Sequence, residues 1–326
     1  MHAWRVHEFG PFDEVLTWEA CPDPTPPRGG VVIDVAAAAV NFPDILAIAG
    51  KYQIKAPLPF VPGIEAVGVV HEADPESRYA PGQRVIASNL WGAFGERMPA
   101  PEQGCFPVPD QMSDAHAAAL LIAYQTGYFA LVHRGRLVAG ESLLVHGGAG
   151  GVGTAAIQLG KALGAEVIAT AGTPAKLEVC REAGADHVID YRQDDFVAAV
   201  KRITGGRGAD LVYDPVGGDV FDLSTKCIAP GGRLLVIGFA SGRIPEIRVN
   251  RVLLKNISIV GLNWGNYQFI DPTLVRATHH ALCDLYEQGK IAPMVSRTYP
   301  LSELPAALTA VATRASHGKL VVSSAA

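Results

Sequence analysis

The sequence predicts an α/β fold in which a doubly wound parallel sheet follows a smaller, β-rich region. Three observations carry that prediction. Residues 140–161, GESLLVHGGAGGVGTAAIQLGK, read as strand, glycine loop and helix in succession. From about Ala123 onward, short apolar runs alternate with helical segments, as in a sheet whose parallel strands are joined by crossover helices. The first third is different, with short apolar runs punctuated by proline and glycine.

Pro22, Pro24, Pro26 and Pro27 mark an exposed loop, and Val31-Val32-Ile33-Asp34-Val35 then reads as a strand. Further strands are predicted at 66–71 and 84–87, set off by Pro62-Gly63 and Pro81-Gly82 turns. The second part has strands at 143–146, 166–170, 187–189, 211–213, 233–237 and 257–260. The tail carries a helix over 273–288 and a last strand at 320–322.

With 326 residues the chain is long enough for two domains. Hydrophobic residues at 49% and 35 glycines suit an α/β protein dense in tight turns. A net charge of −5 without long single-sign blocks excludes an evident basic surface for nucleic acid. The opening MHAWRVHEFG lacks the charged-then-apolar pattern of a signal segment, and no uninterrupted apolar run is long enough to cross a bilayer. The five cysteines are odd in number and scattered, forming neither a disulfide framework nor a Cys-x-x-Cys pair. A cytoplasmic protein with reduced thiols is the expectation.

Gly148, Gly150 and Gly153 form G-x-G-x-x-G between a strand and a helix. Glycine lets the backbone turn sharply, approach a pyrophosphate and pack the helix on the strand; the phosphates then meet the unpaired N–H groups and positive dipole end of the helix. Gly151 and Val152 complete this loop, which predicts a bound dinucleotide. An NAD site places Asp or Glu after the next strand, to hold the ribose 2′-hydroxyl. Here that strand ends in Ala171-Gly172, followed by Thr173 and Lys176, with Tyr191 and Arg192 after the strand beyond. Cationic and hydroxyl donors without a carboxylate suit a 2′-phosphate, so NADPH is the expected cofactor. Thr173 also reads as the cap of the next helix, and Lys176 as a solvated charge.

Val40-Asn41-Phe42-Pro43-Asp44, Gly50-Lys51-Tyr52, Phe60-Val61-Pro62-Gly63-Ile64-Glu65 and Ala123-Tyr124-Gln125-Thr126 join the glycine loop in one resemblance. Over its whole length the chain resembles the medium-chain dehydrogenase/reductase superfamily, in the zinc-free quinone oxidoreductase (zeta-crystallin-like) branch. The resemblance implies a GroES-like catalytic domain formed by residues 1–122 and 266–326, with a Rossmann domain, 123–265, inserted between them. It also implies that the last strand returns to the first domain, and that two copies pair through an edge strand at 257–262.

Zinc-dependent relatives carry Cys and His where this chain has Asn41 and Ile64, so no catalytic zinc site is expected. Glu65 remains, expected to bond backbone or an arginine. Without a metal, the substrate must be one whose charge after hydride arrival can be spread or protonated: a quinone, or an enone or enoyl-thioester such as an acryloyl-CoA-like compound. A third possibility is a nucleotide-binding or structural protein that has lost turnover, against which the intact loop and Tyr52 argue.

By resemblance, Tyr52 is the preferred proton donor, or else an aromatic wall of the pocket. Asn41 would bind the substrate oxygen or the nicotinamide ribose. Asp44 would order its loop or abstract protons. Thr126 lies against the nicotinamide or caps a helix. Phe239, Ser241 and Asn263, with Trp264 beside it, would line the nicotinamide end. Arg314 and Lys319 stand where the branch adds positive charge, although Lys319 also reads as a solvated surface residue. His279-His280, on a helix, reads as surface.

Overall fold

The computed structural model describes residues 1–324, which divide into two compact units, Met1–Ile122 with residues 293–324, and Ala123–Ala292.

The first unit opens with β1 (His2–Val6), α1 (Phe12–Val15) and β2 (Leu16–Ala20), where β1 and β2 pair antiparallel. β3 (Val31–Val40) is followed by α2 (Phe42–Ile48), β4 (Glu65–Ala73), β5 (Arg84–Ser88), β6 (Arg97–Ala100) and β7 (Cys105–Pro107). α3 (Asp114–Tyr128) carries the chain across the boundary between units and continues as a π-helical segment, Phe129–Arg134. The combined helix Asp114–Arg134 is long and apolar enough to cross a membrane by composition, contrary to the reading of the sequence, but 67% of its most apolar window is buried inside the protein.

The second unit contains β8 (Ser142–Val145), α4 (Gly151–Ala162), β9 (Glu166–Ala171), α5 (Pro174–Glu182), β10 (His187–Asp190), α6 (Phe196–Ile203), β11 (Ala209–Asp214), α7 (Gly218–Cys227), β12 (Ile228–Val236), α8 (Val249–Lys255), β13 (Ser258–Gly261), α9 (Trp264–Ile270) and α10 (Pro272–Glu287). Its six strands run parallel in the order β10-β9-β8-β11-β12-β13, with the chain reversing direction between β8 and β11. That reversal point is where open α/β sheets hold ligands. The central strands are apolar on both faces, and Leu144, Ile168, Val212 and Leu234 are fully buried among the covering helices.

The chain returns to the first unit with β14 (Val295–Pro300), α11 (Leu304–Ala312) and β15 (Lys319–Ser323). β15 pairs antiparallel with β3, setting Leu320 opposite Val40, and β14 pairs parallel with β15. They complete a seven-stranded sheet, β14-β15-β3-β4-β5-β7, with β6 paired to β3. Its core gathers Val6, Ile33, Phe94, Met98, Leu304 and Val322, among others.

Residues 266–292 pack with the second unit, not with the first as the resemblance implied. The Asp271 side chain caps α10 by accepting the Leu274 N–H at 2.9 Å. The helix is then tied to the start of its own unit: the Gln125 amide donates to the Val275 carbonyl at 3.0 Å, and the His133 ring lies 3.1 Å from the Thr278 hydroxyl. These hydrogen bonds join the helix to residues 125 and 133, and periodicity does not reveal them.

Candidate active site

In the second unit the site begins at the carboxyl end of β8. His146 is buried, with its two ring nitrogens 3.0 Å from Thr170 Oγ1 and 2.8 Å from Ser224 Oγ. Burial keeps the ring neutral by pushing its pKa down to about 3. This tie supports the turn that follows, in which Gly150 caps α4. A Cβ on Gly153 would stand 2.2 Å from the Gly147 carbonyl oxygen, so only glycine permits this approach of helix to loop. The N–H groups of Gly151, Val152 and Gly153, in the first turn of α4, have no intrahelical acceptor and form an anion cradle.

Beyond β9, Thr173 caps α5 by accepting the Lys176 N–H at 3.3 Å. A Cβ on Gly172 would lie 2.6 Å from the Tyr191 hydroxyl and 3.1 Å from Arg192 Nε. Gly172, Thr173, Tyr191 and Arg192 therefore form one cluster at the carboxyl ends of β9 and β10, with Lys176 in the first turn of α5. Tyr191 is 50% exposed. Arg192 and the Thr173 and Tyr191 hydroxyls fit a 2′-phosphate, and the nearby Asp190 carboxylate is engaged by the Arg192 N–H at 3.0 Å and the Gln193 amide at 3.1 Å. Thr173 does cap its helix, and capping leaves the cluster intact.

At the end of β11, Asp214 is buried and accepts the Val216 and Gly217 N–H groups at 2.8 and 2.9 Å. Burial raises its pKa despite those bonds. The turn it shapes carries the loop after β12: the Ala240 N–H donates to Pro215 O at 3.1 Å and the Ser241 N–H to Val216 O at 2.9 Å. Phe239 and Ser241 are exposed on this loop. Asp214 was not anticipated, although Asp-Pro-Val-Gly-Gly after an apolar run is a turn signal that identifies the position. A depression of about 460 Å³, lined by Lys161, Glu166, Asp186 and His187 among others, lies at the amino ends of the strands, opposite the glycine loop.

In the first unit Asn41, Asp44 and Tyr52 lie on and just after α2. The Asp44 carboxylate accepts the Asn41 N–H at 2.7 Å. Its other oxygen is buried without a partner. Burial pushes this carboxyl up to about 8, so it is predominantly protonated at neutral pH. Tyr52 is half-buried; desolvation first, and the nearby Asp44 second, hold its pKa above the usual range. The Tyr52 N–H donates to Leu46 O at 3.1 Å, which seats the tyrosine against the end of α2.

Lys319, at the start of β15, corrects the reading of a solvated charge, since only 5% of it is exposed. Its ammonium donates to Asn41 Oδ1 at 2.6 Å and Glu65 Oε1 at 2.9 Å, with Val40 O at 3.5 Å. Glu65 bonds backbone and a lysine, not an arginine, because its second oxygen accepts the Ile122 N–H at 2.8 Å. Asn41 Nδ2 donates to Glu65 Oε1 at 2.9 Å and Ala39 O at 3.2 Å. Both amide hydrogens are thereby used. What Asn41 can still offer a ligand is Oδ1, which accepts from Lys319 and faces the Asp44 N–H in the capping box of α2, and which suits a hydroxyl such as a ribose hydroxyl and not a carbonyl oxygen.

Three other expectations change. Thr126 lies within α3 and caps nothing. Trp264 is 6% exposed and its indole N–H donates to Gln125 Oε1 at 3.3 Å, so it is a core residue; Asn263 beside it is exposed at the head of α9. His279 is buried, its Nε2 3.3 Å from Cys283 Sγ, while His280 is exposed. Arg314 is exposed in the turn after α11, with a positive φ of 57°.

A doubly wound parallel sheet with a phosphate cradle at its switch point, carried in one chain with a β-rich unit that presents ionisable side chains, defines a nucleotide-dependent oxidoreductase. Residues 27–110 match the family described as "Alcohol dehydrogenase GroES-like domain" and residues 151–278 that described as "Zinc-binding dehydrogenase". The "Quinone oxidoreductase-like protein 2 homolog" of Nematostella vectensis is 38% identical, over 90% of this chain and 81% of its own length. Two solved structures cover 99% of this chain and are themselves covered completely: a mycobacterial protein complexed with NADPH, 32% identical with a TM-score of 0.93, and Escherichia coli quinone oxidoreductase complexed with NADPH, 28% identical with a TM-score of 0.92. The chain belongs to the medium-chain dehydrogenase/reductase superfamily, in its quinone oxidoreductase branch.

The second family description implies zinc, and the residues here do not fit it. Asn41 and Ile64 supply no thiolate or imidazole where zinc-dependent members carry theirs, and the Lys319 ammonium already occupies the acceptors of Glu65 and Asn41. Among the described residues no group of three or more His, Cys, Asp and Glu side chains is placed to hold a metal ion.

Proposed function

We propose that the chain is a zinc-independent NADPH:quinone oxidoreductase. The observation that carries this reading is the Lys319–Glu65–Asn41 cluster, a mutually neutralised set where a Lewis acid would otherwise stand. A site without a Lewis acid favours acceptors that stabilise their own negative charge, as quinones do. Bound NADPH supplies hydride at its nicotinamide ring. The α4 amino terminus holds the pyrophosphate, while Thr173, Lys176, Tyr191 and Arg192 hold the 2′-phosphate. Phe239, Ser241, Asn263, Thr126 and Arg314 remain candidates for the rest of the cofactor.

The Tyr52 hydroxyl, kept protonated by its surroundings, donates to the acceptor oxygen as charge develops there. The neutral Asp44 adds no negative charge beside that oxygen. The chain also works as a homodimer, extending the parallel sheet through β13, which is hydrogen-bonded on one side only; a monomeric mass by light scattering at micromolar concentration would refute this.

The deciding experiment compares NADPH oxidation with a para-quinone and with a short enoyl-CoA in one assay. A large preference for the quinone is expected. Preference for the thioester would recast the protein as an enoyl reductase, and tight NADPH binding with neither activity would leave a nucleotide-binding protein. Tyr52→Phe should lower kcat by about tenfold to a hundredfold; unchanged turnover on every accepted substrate would remove Tyr52 as donor.

A further inference from the structure

We propose that Lys319 is a positioning residue of the reaction centre, whose ammonium fixes the Asn41 carboxamide so that Asn41 presents a hydrogen-bond acceptor, and no donor, to a hydroxyl of the bound ligand. This inference rests on the oxidoreductase reading above.

The polarity follows from the partners. Lys319 has three N–H groups and three oxygens around it, Val40 O, Asn41 Oδ1 and Glu65 Oε1. An ammonium requires an oxygen opposite, and the Glu65 carboxylate on the other side of the amide requires N–H groups. A flipped carboxamide would set NH2 against the ammonium and oxygen against the carboxylate, so the two charges exclude one orientation. The lock is assembled by sheet register. β15 brings Leu320 opposite Val40, placing the neighbouring Lys319 beside Asn41, and β4 begins at Glu65. Lys319 and Glu65 are 254 residues apart in sequence.

Lys319 is almost wholly buried, whereas Asn41 is only partly so. The lysine therefore acts through the amide and not on the ligand. Asn41 also heads α2, whose far end seats Tyr52. Without the ammonium the carboxamide oxygen loses its charged donor and only the amide hydrogens remain held, by Glu65 Oε1 and Ala39 O; with Glu65 neutralised as well, a donor can face the ligand hydroxyl.

Lys319→Met alone strands a buried carboxylate and loses stability whatever else Lys319 does, so the test uses the electroneutral pair Lys319→Met/Glu65→Gln. The readouts are Tm and kcat/KM for NADPH oxidation with a para-quinone, each repeated with Asn41→Ala added. The pair should melt within roughly 5 °C of the parent while kcat/KM falls about tenfold or more, and Asn41→Ala should then cost less than about twofold further. Turnover restored together with Tm, or an Asn41→Ala effect as large in the pair as in the parent, would overturn the proposal. If the pair does not fold, Lys319→Arg crossed with Asn41→Ala decides: non-additive losses support the proposal, additive losses defeat it. A parent inactive with quinone counts against the functional reading instead, and the same cycles are then read on the NADPH dissociation constant, with the same two outcomes.

Discussion

The two units build their candidate sites from different materials. The second unit offers backbone to the cofactor: glycines, helix amino termini and turns, with a cation near the Gly172 turn, Arg192, standing at the surface. The first unit offers side chains, and it hides them. Asp44 and Glu65 are fully buried and Lys319 nearly so. A surface cation facing water contributes its charge only when an anion arrives, and salt screens it. A buried ammonium–carboxylate pair is costly to break from either side. The nucleotide half should therefore tolerate loss of a charge with little loss of stability, while the β-rich half should not.

The largest expected effect breaks the buried half. Glu65→Ala leaves the buried Lys319 ammonium without its counter-ion and the Ile122 N–H without its acceptor, and should cost about 3–5 kcal/mol in denaturant unfolding. Intrinsic affinity for NADPH's 2′-phosphate end should be unchanged in the fraction that folds. The mirror experiment is Gly153→Ala, in which the added methyl group collides with the Gly147 carbonyl oxygen and displaces the start of α4. NADPH binding, followed by fluorescence titration, should weaken about 100-fold, or roughly 2.7 kcal/mol.

A smaller effect is expected of Lys176→Ala, which removes one partly buried cation in the first turn of α5. It should lower the preference for NADPH over NADH about tenfold, with Tm unchanged, and the loss should shrink in high salt. A Tm loss comparable to that of Glu65→Ala would erase the contrast between the units.

The finest test is pH. Asp44 binds its proton more tightly folded than unfolded, since its pKa rises from an ordinary carboxylate value to about 8. The unfolded chain therefore loses that proton first, and native stability falls as pH rises from about 4 to about 8, by at most about 1.4 kcal/mol per pH unit, then levels off. Asp44→Asn should flatten this part of the profile when stability is measured between pH 5 and pH 8.

The same contrast governs what could be read from sequence. Each predicted strand of the second unit has its counterpart, because an apolar run followed by glycine and a helical repeat is a local signal. The boundaries moved where neighbours decide them: the strand expected at 233–237 begins at Ile228, its ladder with β11 passing through a register shift. The glycine loop was legible for the same reason. In the first unit β1, β2, β6, β7 and β14 carry no glycine loop with a helical repeat after it, and β6 takes its place from a partner far off in sequence, β3. The polarity of Lys319, Trp264 and His279 was misread because an isolated sequence assigns charge and ring nitrogen to solvent. Burial depends on a partner such as Glu65 or Gln125, which no periodicity announces.

The return of β15 to β3 also orders events during synthesis. The second unit is complete once residue 292 has left the ribosome, and its sheet pairs only strands of its own span. The first unit is not complete then. β3 and β4 are translated early, and Glu65 must wait through 254 further residues for its counter-ion. Until Lys319 emerges, β3 presents an open edge on the side where β15 will pair, the kind of exposed strand that invites wrong partners. The β-rich unit is therefore the last to become native, and a ribosome stalled just short of β15 holds a chain whose second unit is finished and whose first sheet still has an unguarded seam.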